Sequence, residues 1–213
     1  MIRKVAERLF LMIAVSLLTL SCDYFPKRVD AVVFNFVTLD TDSEGHFCRL
    51  RDDYGKTLTI SGSTDDSETF TPDSTYRMIC SYVEYDDNYA ELRSTNEIIS
   101  CIARPLSYFD GHEIKKDPMG IQSYWVSGGY LNIVLEIKGL DKAHSLCPID
   151  YSSSSEVKFG FYHDQNSDVM SYTKNAYVSI PLWPYTFLNQ GDTIKISVMD
   201  YDGEEKTYSV RYK

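Results

Sequence analysis

Ile194-Lys195-Ile196-Ser197-Val198-Met199-Asp200-Tyr201-Asp202-Gly203-Glu204-Glu205-Lys206-Thr207-Tyr208-Ser209-Val210-Arg211-Tyr212 is the stretch that decides the fold class. Apolar side chains occupy alternate positions on both sides of a polar turn: Ile194, Ile196 and Val198 before it, Tyr208, Val210 and Tyr212 after it. Successive strand residues point to opposite faces, so this spacing puts one row from each arm on the same side of a hairpin turning at Asp202-Gly203-Glu204-Glu205.

The same period runs upstream. Leu131, Ile133, Leu135 and Ile137 share one strand face, Val157, Phe159 and Phe161 a second, and Val178, Ile180 and Leu182 a third. Strands at this spacing without intervening helices suggest a sandwich. Before them, Asp110-Gly111-His112-Glu113-Ile114-Lys115-Lys116-Asp117-Pro118 is polar, carries a Gly and a Pro, and marks a domain boundary. Further upstream, Val29 to Thr38 reads as a strand. Phe47 to Arg51 and Lys56 to Ile60 flank the turn Asp52-Asp53-Tyr54-Gly55, and Arg77 to Tyr85 and Tyr89 to Arg93 flank Asp86-Asp87-Asn88. With Ile98 to Ala103 this makes about five or six strands by residue 105. No segment after Cys22 keeps a helical period, so the chain is expected to be all-β.

The N-terminus has a different logic. Arg3, Lys4 and Arg8 precede an apolar run from Leu9 to Leu18, and the small Ser21 precedes Cys22. This is the order of an export signal, expected as a helix over 1–21. The run is about a dozen residues, whereas a bilayer-spanning helix needs roughly 20. Leu18-Thr19-Leu20-Ser21-Cys22 resembles the lipobox of bacterial lipoproteins, with Thr19 where leucine is usual. That resemblance implies lipidation of Cys22 and a tether over 22–28; ordinary signal-peptidase cleavage nearby is the alternative. Two or more acyl chains suffice for stable attachment, and Asp23 to Arg28 extended reaches roughly 20 Å. The expected location is the cell envelope, lipid-anchored to the outer membrane on its periplasmic or its outer face.

Loss of residues 1–21 removes Arg3, Lys4, Arg8 and Glu7, moving the formal charge from −10 to −12. Such an acidic surface repels phosphate backbones and anionic lipid, which excludes nucleic acid as the expected partner. Four cysteines follow Cys22, namely Cys48, Cys80, Cys101 and Cys147, with no C-x-x-C spacing. An exported chain can oxidise them, but one this long buries an adequate core without a disulfide. Free thiols are the favoured reading.

Several residues together resemble a known family. Asp200 to Tyr208, Trp125 and Gly129-Tyr130-Leu131-Asn132-Ile133 look like the NigD-like lipoproteins of Gram-negative anaerobes. Arg49-Leu50-Arg51-Asp52-Asp53 with Gly55-Lys56-Thr57-Leu58, and Asp87-Asn88-Tyr89 with Ile98-Ile99, resemble the strands of that family's first domain. The resemblance implies a small OB-type barrel over 29–109 and a C-terminal β-sandwich over 110–213. It also implies a bacteriocin-immunity role, after the gene cluster from which the family takes its name, and it carries no catalytic residues.

Local motifs supply no chemistry either. Asp40-Thr41-Asp42-Ser43-Glu44-Gly45 copies the start of a calcium loop, but the twelfth position, where a bidentate carboxylate is required, is Arg51. Gly55-Lys56-Thr57 imitates a phosphate-binding loop in a hairpin context, with Leu50 where its first Gly belongs. His46, His112, His144 and His163 are scattered without ligand spacing, and no G-x-S-x-G elbow occurs. The expectation is a non-enzymatic binding protein with no metal and no cofactor, its partner an unknown protein such as a bacteriocin. A surface glycan is the alternative, motivated by 17 tyrosines and weakened by the isolation of Trp125 from Trp183. Strand packing accounts for most of the tyrosines. Tyr54, Tyr85 and Tyr89 lie at hairpin turns and are the candidate exposed patch at the barrel rim, where OB folds bind.

Overall fold

The computed structural model describes residues 31–63, 70–85 and 88–213. The signal-peptide helix, Cys22 and the tether over 22–28 lie outside the described residues, as do Asp86 and Asp87 of the second hairpin turn.

The first half is a closed barrel of five strands: β1 (Val32–Thr41), β2 (Phe47–Asp52), β3 (Thr57–Ser63), β4 (Thr75–Tyr85) and β5 (Tyr89–Glu97), in the order β1-β2-β3-β5-β4. β1 pairs antiparallel with both β2 and β4, and the parallel pair β3–β5 completes the wall. Period two in β1 sends Val37 and Leu39 inward, against Leu50, Leu58, Met78, Cys80, Tyr82, Ala90 and Leu92. Bulges between Asp40 and Thr41 and between Ser81 and Tyr82 add the local twist that a small closed sheet requires.

The acidic stretch after Leu39 is turn chemistry. Asp42 Oδ1 accepts the backbone N–H groups of Glu44 and His46, both at 2.9 Å. Gly45 sits at φ +87°, against the Phe70 carbonyl, where a Cβ would collide.

The chain then crosses to a two-sheet sandwich. One sheet holds β6 (Ile99–Ser100), β12 (Tyr172–Pro181), β9 (Tyr130–Gly139) and β8 (Gly120–Ser127) in that order. The other holds β14 (Glu205–Arg211), β13 (Thr193–Met199), β11 (Val157–Asp164), β10 (Ser145–Asp150) and β7 (Arg104–Pro105). The apolar rows seen in the sequence face each other between the sheets. Leu131, Ile133 and Leu135 meet Val157, Phe159 and Phe161, flanked by Val178, Ile180, Ile194, Ile196 and Val198. In the C-terminal hairpin Ile196 lies opposite Tyr208 and Ile194 opposite Val210. The short strands β6 and β7 follow the barrel directly and pair in parallel with β12 and β10, so residues 99–105 contribute to the sandwich sheets. The polar stretch 110–118 connects the 3₁₀ turn Leu106–Phe109 to β8. All four described cysteines are free thiols, with Cys80 buried in the barrel.

Candidate functional site: the cleft between barrel and sandwich

The barrel and the sandwich meet across a buried polar cluster. The β2–β3 turn delivers Asp53 and β4 delivers Arg77, whose side chains are 5% and 3% exposed. Arg77 Nη1 donates to Asp53 Oδ1 at 2.5 Å and Nη2 to Oδ2 at 2.7 Å, a bidentate fork. Two further guanidinium hydrogens reach the sandwich: Nη2 donates to Asn132 Oδ1 at 3.0 Å and Nε to Ser179 Oγ at 3.1 Å. Ser179 in turn donates to Asn132 Oδ1 at 2.5 Å. Ser127 Oγ donates to Asp53 Oδ2 at 2.6 Å and accepts from Asn132 Nδ2 and Trp125 Nε1, both at 3.0 Å. The Tyr130 ring lies 4.4 Å from the guanidinium carbon, in cation–π range.

Charges removed from water are tolerated when every donor and acceptor finds a partner. Among the described residues no buried side-chain nitrogen or oxygen lacks one. Gly128 closes the cluster from the β8–β9 turn, at φ +59°, where a Cβ would stand 2.5 Å from Asp53 Oδ1. The cluster is a staple, and it fixes what lies beside it.

Beside it is a small apolar layer, Phe36 and Ile79 from the barrel with Val134 from β9, and Trp125 and Tyr177 packed against them. Phe36 meets Trp125 edge-on at a 5.2 Å centroid distance and Tyr177 at 6.0 Å. The layer is the floor of an open cleft of about 530 Å³ whose walls carry Phe34, Asn35, Tyr54, Gln122 and Asn175. Phe34 is 58% exposed and Tyr54 83%. Five aromatic side chains and three carboxamides line it, with no ionisable group other than the tyrosine hydroxyls. Such a surface can stack on a flat apolar face and hydrogen-bond to neutral polar groups.

The sequence candidates divide. Tyr54 stands in this cleft, because the β2–β3 turn that carries it is pinned one residue earlier by Asp53. Tyr85 and Tyr89 are register partners at the end of the β4–β5 hairpin, half exposed, with Tyr85 Oη donating to Glu91 Oε2 at 2.8 Å. Phe34, Gln122, Asn175 and Tyr177 were not singled out by sequence, and no local signal marks them. Asp53, Trp125, Tyr130 and Asn132 all belong to the segments that carried the family resemblance, and they converge on Arg77.

A second cluster is also invisible in the sequence. His163, buried on β11, donates from Nδ1 to the Asp117 carbonyl at 2.9 Å, leaving Nε2 to accept from His144 Nδ1 at 3.0 Å. His144 Nε2 faces Asp168 Oδ2 at 3.3 Å. Burial, with the neighbouring His144, pushes the His163 pKa down despite the Asp117 carbonyl and the Asp117 and Asp164 carboxylates. Burial works to raise the Asp168 carboxyl, but the Leu140 N–H, the His144 ring and the Val169 and Asp141 N–H groups hold it down at about 2. Among the described residues no group of three or more His, Cys, Asp or Glu is placed to hold a metal.

Residues 103–212, over half of the chain, match the family model of the NigD-like C-terminal beta sandwich domain. The chain belongs to the NigD-like family. It is similar over 84% of its length to a NigD-like immunity protein from Bacteroides caccae, covering 92% of that chain at 28% identity with a TM-score of 0.69. A protein from Parabacteroides distasonis described as toxin-related shares the fold at 18% identity and a TM-score of 0.66, covering 86% of this chain and 94% of that one. A protein from Bacteroides fragilis described as a lipoprotein shares it at 13% identity and 0.60, covering 86% and 99%. No curated protein matches this NigD-like chain.

Proposed function

We propose that this NigD-like protein is an outer-membrane-anchored, non-enzymatic binding protein, lipidated on Cys22, that engages its partner through the cleft between barrel and sandwich. The observation that carries the reading is the cleft itself. Tyr54, Phe34, Trp125 and Tyr177 present apolar and amphipathic surface to solvent on a floor fixed by the Arg77–Asp53 staple. Exposed aromatics on a rigid frame cost little ordering entropy on binding and supply the anchors of protein interfaces. Tyr85 and Tyr89, at the end of the next barrel hairpin, extend the recognition surface.

The sharpest form of the reading is immunity, in which the partner is a secreted bacteriocin caught at the envelope. The immunity protein from Bacteroides caccae, alike over most of both chains, supports it. The test is deletion of the gene followed by exposure to culture supernatants of competing strains. Increased killing, reversed by the restored chain, is the expected result; unchanged sensitivity with no partner retained by immobilised protein would end this form.

The cleft lining favours one alternative, a surface glycan-binding accessory role. Aromatic faces beside Asn35, Gln122 and Asn175 match the alternation of C–H faces and hydroxyls on a sugar ring. A flat titration against a panel of neutral glycans would exclude it.

A further inference from the structure

The inward-facing rows of the sandwich run out at one end into basic residues. On β12 the inward register is Ile180, Val178, Ala176 and then Lys174; on β9, opposite, it is Leu135, Ile137 and Gly139. Between these rows, the β6 residue Ile99 and the β10 residue Leu146, the two sheets part and leave a mouth of about 230 Å³, with Lys142, Lys174 and His144 at its rim. The mouth is separate from the aromatic cleft, although Asn175 borders both.

The rim charges are unusual for this molecule, whose formal charge is −10. Lys174 Nζ donates to the Leu140 carbonyl at 3.0 Å, and Lys142 Nζ to the Asn166 and Ser167 carbonyls at 3.2 and 3.0 Å. Among the described residues neither lysine forms an ion pair, whereas His144 has Asp168. Two ammonium groups therefore stand at an apolar opening, held by neutral main-chain oxygens that position them without cancelling their charge. Both nitrogens of His144 are occupied, so its ring is a wall of the mouth and not a donor to a guest.

We infer that this mouth binds a small organic anion: a short apolar body between Ile99, Ile137, Leu146 and Ala176, and one carboxylate between Lys142 and Lys174. The volume lies below the roughly 300–1,000 Å³ of pockets for drug-sized ligands, which limits the body to on the order of six to ten carbons. A neutral body of the same length would gain the apolar contact alone, and a bare carboxylate the charge alone. Exposed ion pairs are individually weak, so two lysines together are expected to favour the anion by roughly tenfold.

The probe is sodium octanoate, with 1-octanol and sodium acetate as its neutral and tailless counterparts, titrated into the ¹⁵N-labelled chain. Octanoate is expected to shift the amide signals of Gly139, His144 and Ala176 and to bind about tenfold tighter than octanol, with acetate weaker than both. The Lys142→Gln/Lys174→Gln chain should bind octanoate no better than octanol, with octanol affinity unchanged, which also reports that the mouth is intact. Should that variant fail to fold, salt supplies the second reading: rising ionic strength weakens octanoate and spares octanol in the unmodified chain. Equal affinities for octanoate and octanol, shifts that map elsewhere, no response to octanoate, or salt-independent octanoate binding would each overturn the inference. A role for the two lysines confined to tying down the loops predicts the first of these results.

Discussion

Arg77 and Asp53, on β4 and on the β2–β3 turn, form a bidentate ion pair from which water is almost wholly excluded, and the same guanidinium reaches Asn132 and Ser179 in the sandwich. One side chain thus ties the barrel wall, a barrel turn and two sandwich strands together. Removing the carboxylate strands a buried cation, which costs about 3–5 kcal/mol. Asp53→Ala is expected to lower the unfolding free energy by that amount in urea denaturation. Asp53→Ala/Arg77→Met should lose less, because the orphaned charge goes with its partner. A double variant less stable than Asp53→Ala would contradict the assignment.

The glycine beside this pair gives a second prediction. Gly128 combines a left-handed backbone with a Cβ position 2.5 Å from Asp53 Oδ1, whereas Gly55, at φ +90°, faces open space. Gly55→Ala should cost about 1–2 kcal/mol, from backbone conformation alone. Gly128→Ala should cost distinctly more and weaken partner capture, since the Asp53 turn also carries Tyr54. Equal costs in paired thermal melts would show that the close approach is unimportant.

Hairpin arms and sandwich rows were legible because each is a local pattern. Ile194-x-Ile196-x-Val198 declares its own face, and Asp202-Gly203 its own turn. The strand pairings β6–β12 and β7–β10 were not: two-residue parallel bridges have no period to read, and nothing in Ile99-Ser100 names Val178 as a partner. Of the cleft, Tyr54 was visible as an exposed turn aromatic and Trp125 as part of the family resemblance. Phe34, Gln122 and Tyr177 acquire meaning when β1, β8 and β12 come together. The staple did leave a trace, a polar residue within an apolar run: Arg77 before Met78-Ile79-Cys80, Asn132 between Leu131 and Ile133, Ser179 between Val178 and Ile180.

The histidine pair predicts how stability responds to pH. A folded-state pKa for His163 below the ordinary 6.5 means that the unfolded chain takes the proton more readily. Its contribution is fully present above pH 6.5 and is lost as the pH falls through the folded pKa. Asp168, held at about 2 against an ordinary 3.8, adds a second loss between about pH 4 and pH 2. Melting temperatures measured downward from pH 8 should fall below 6.5, and His163→Gln should flatten that limb specifically. An unchanged limb would mean that His163 does not govern it.

Thiol chemistry separates the cysteines. Burial pushes the Cys80 thiol up to about 12, and burial likewise raises Cys101 and Cys147, which neighbour each other. The thiolate is the reactive species, so Cys80 is expected to be modified last by a thiol reagent at neutral pH and promptly in denaturant. Early labelling of Cys80 in the folded chain, read by peptide mass spectrometry, would place it outside a closed barrel core.

Tyr54 bears most directly on the central claim, because its exposure separates recognition from folding. Exposed substitutions of this kind stay within about 0.5 kcal/mol of neutral, so Tyr54→Ala should fold and accumulate like the unmodified chain. The decisive measurement is killing of the deletion strain by competitor supernatants when complemented with either form at equal levels. The unmodified chain is expected to protect and Tyr54→Ala to fail. Equal protection by both would contradict recognition through the cleft.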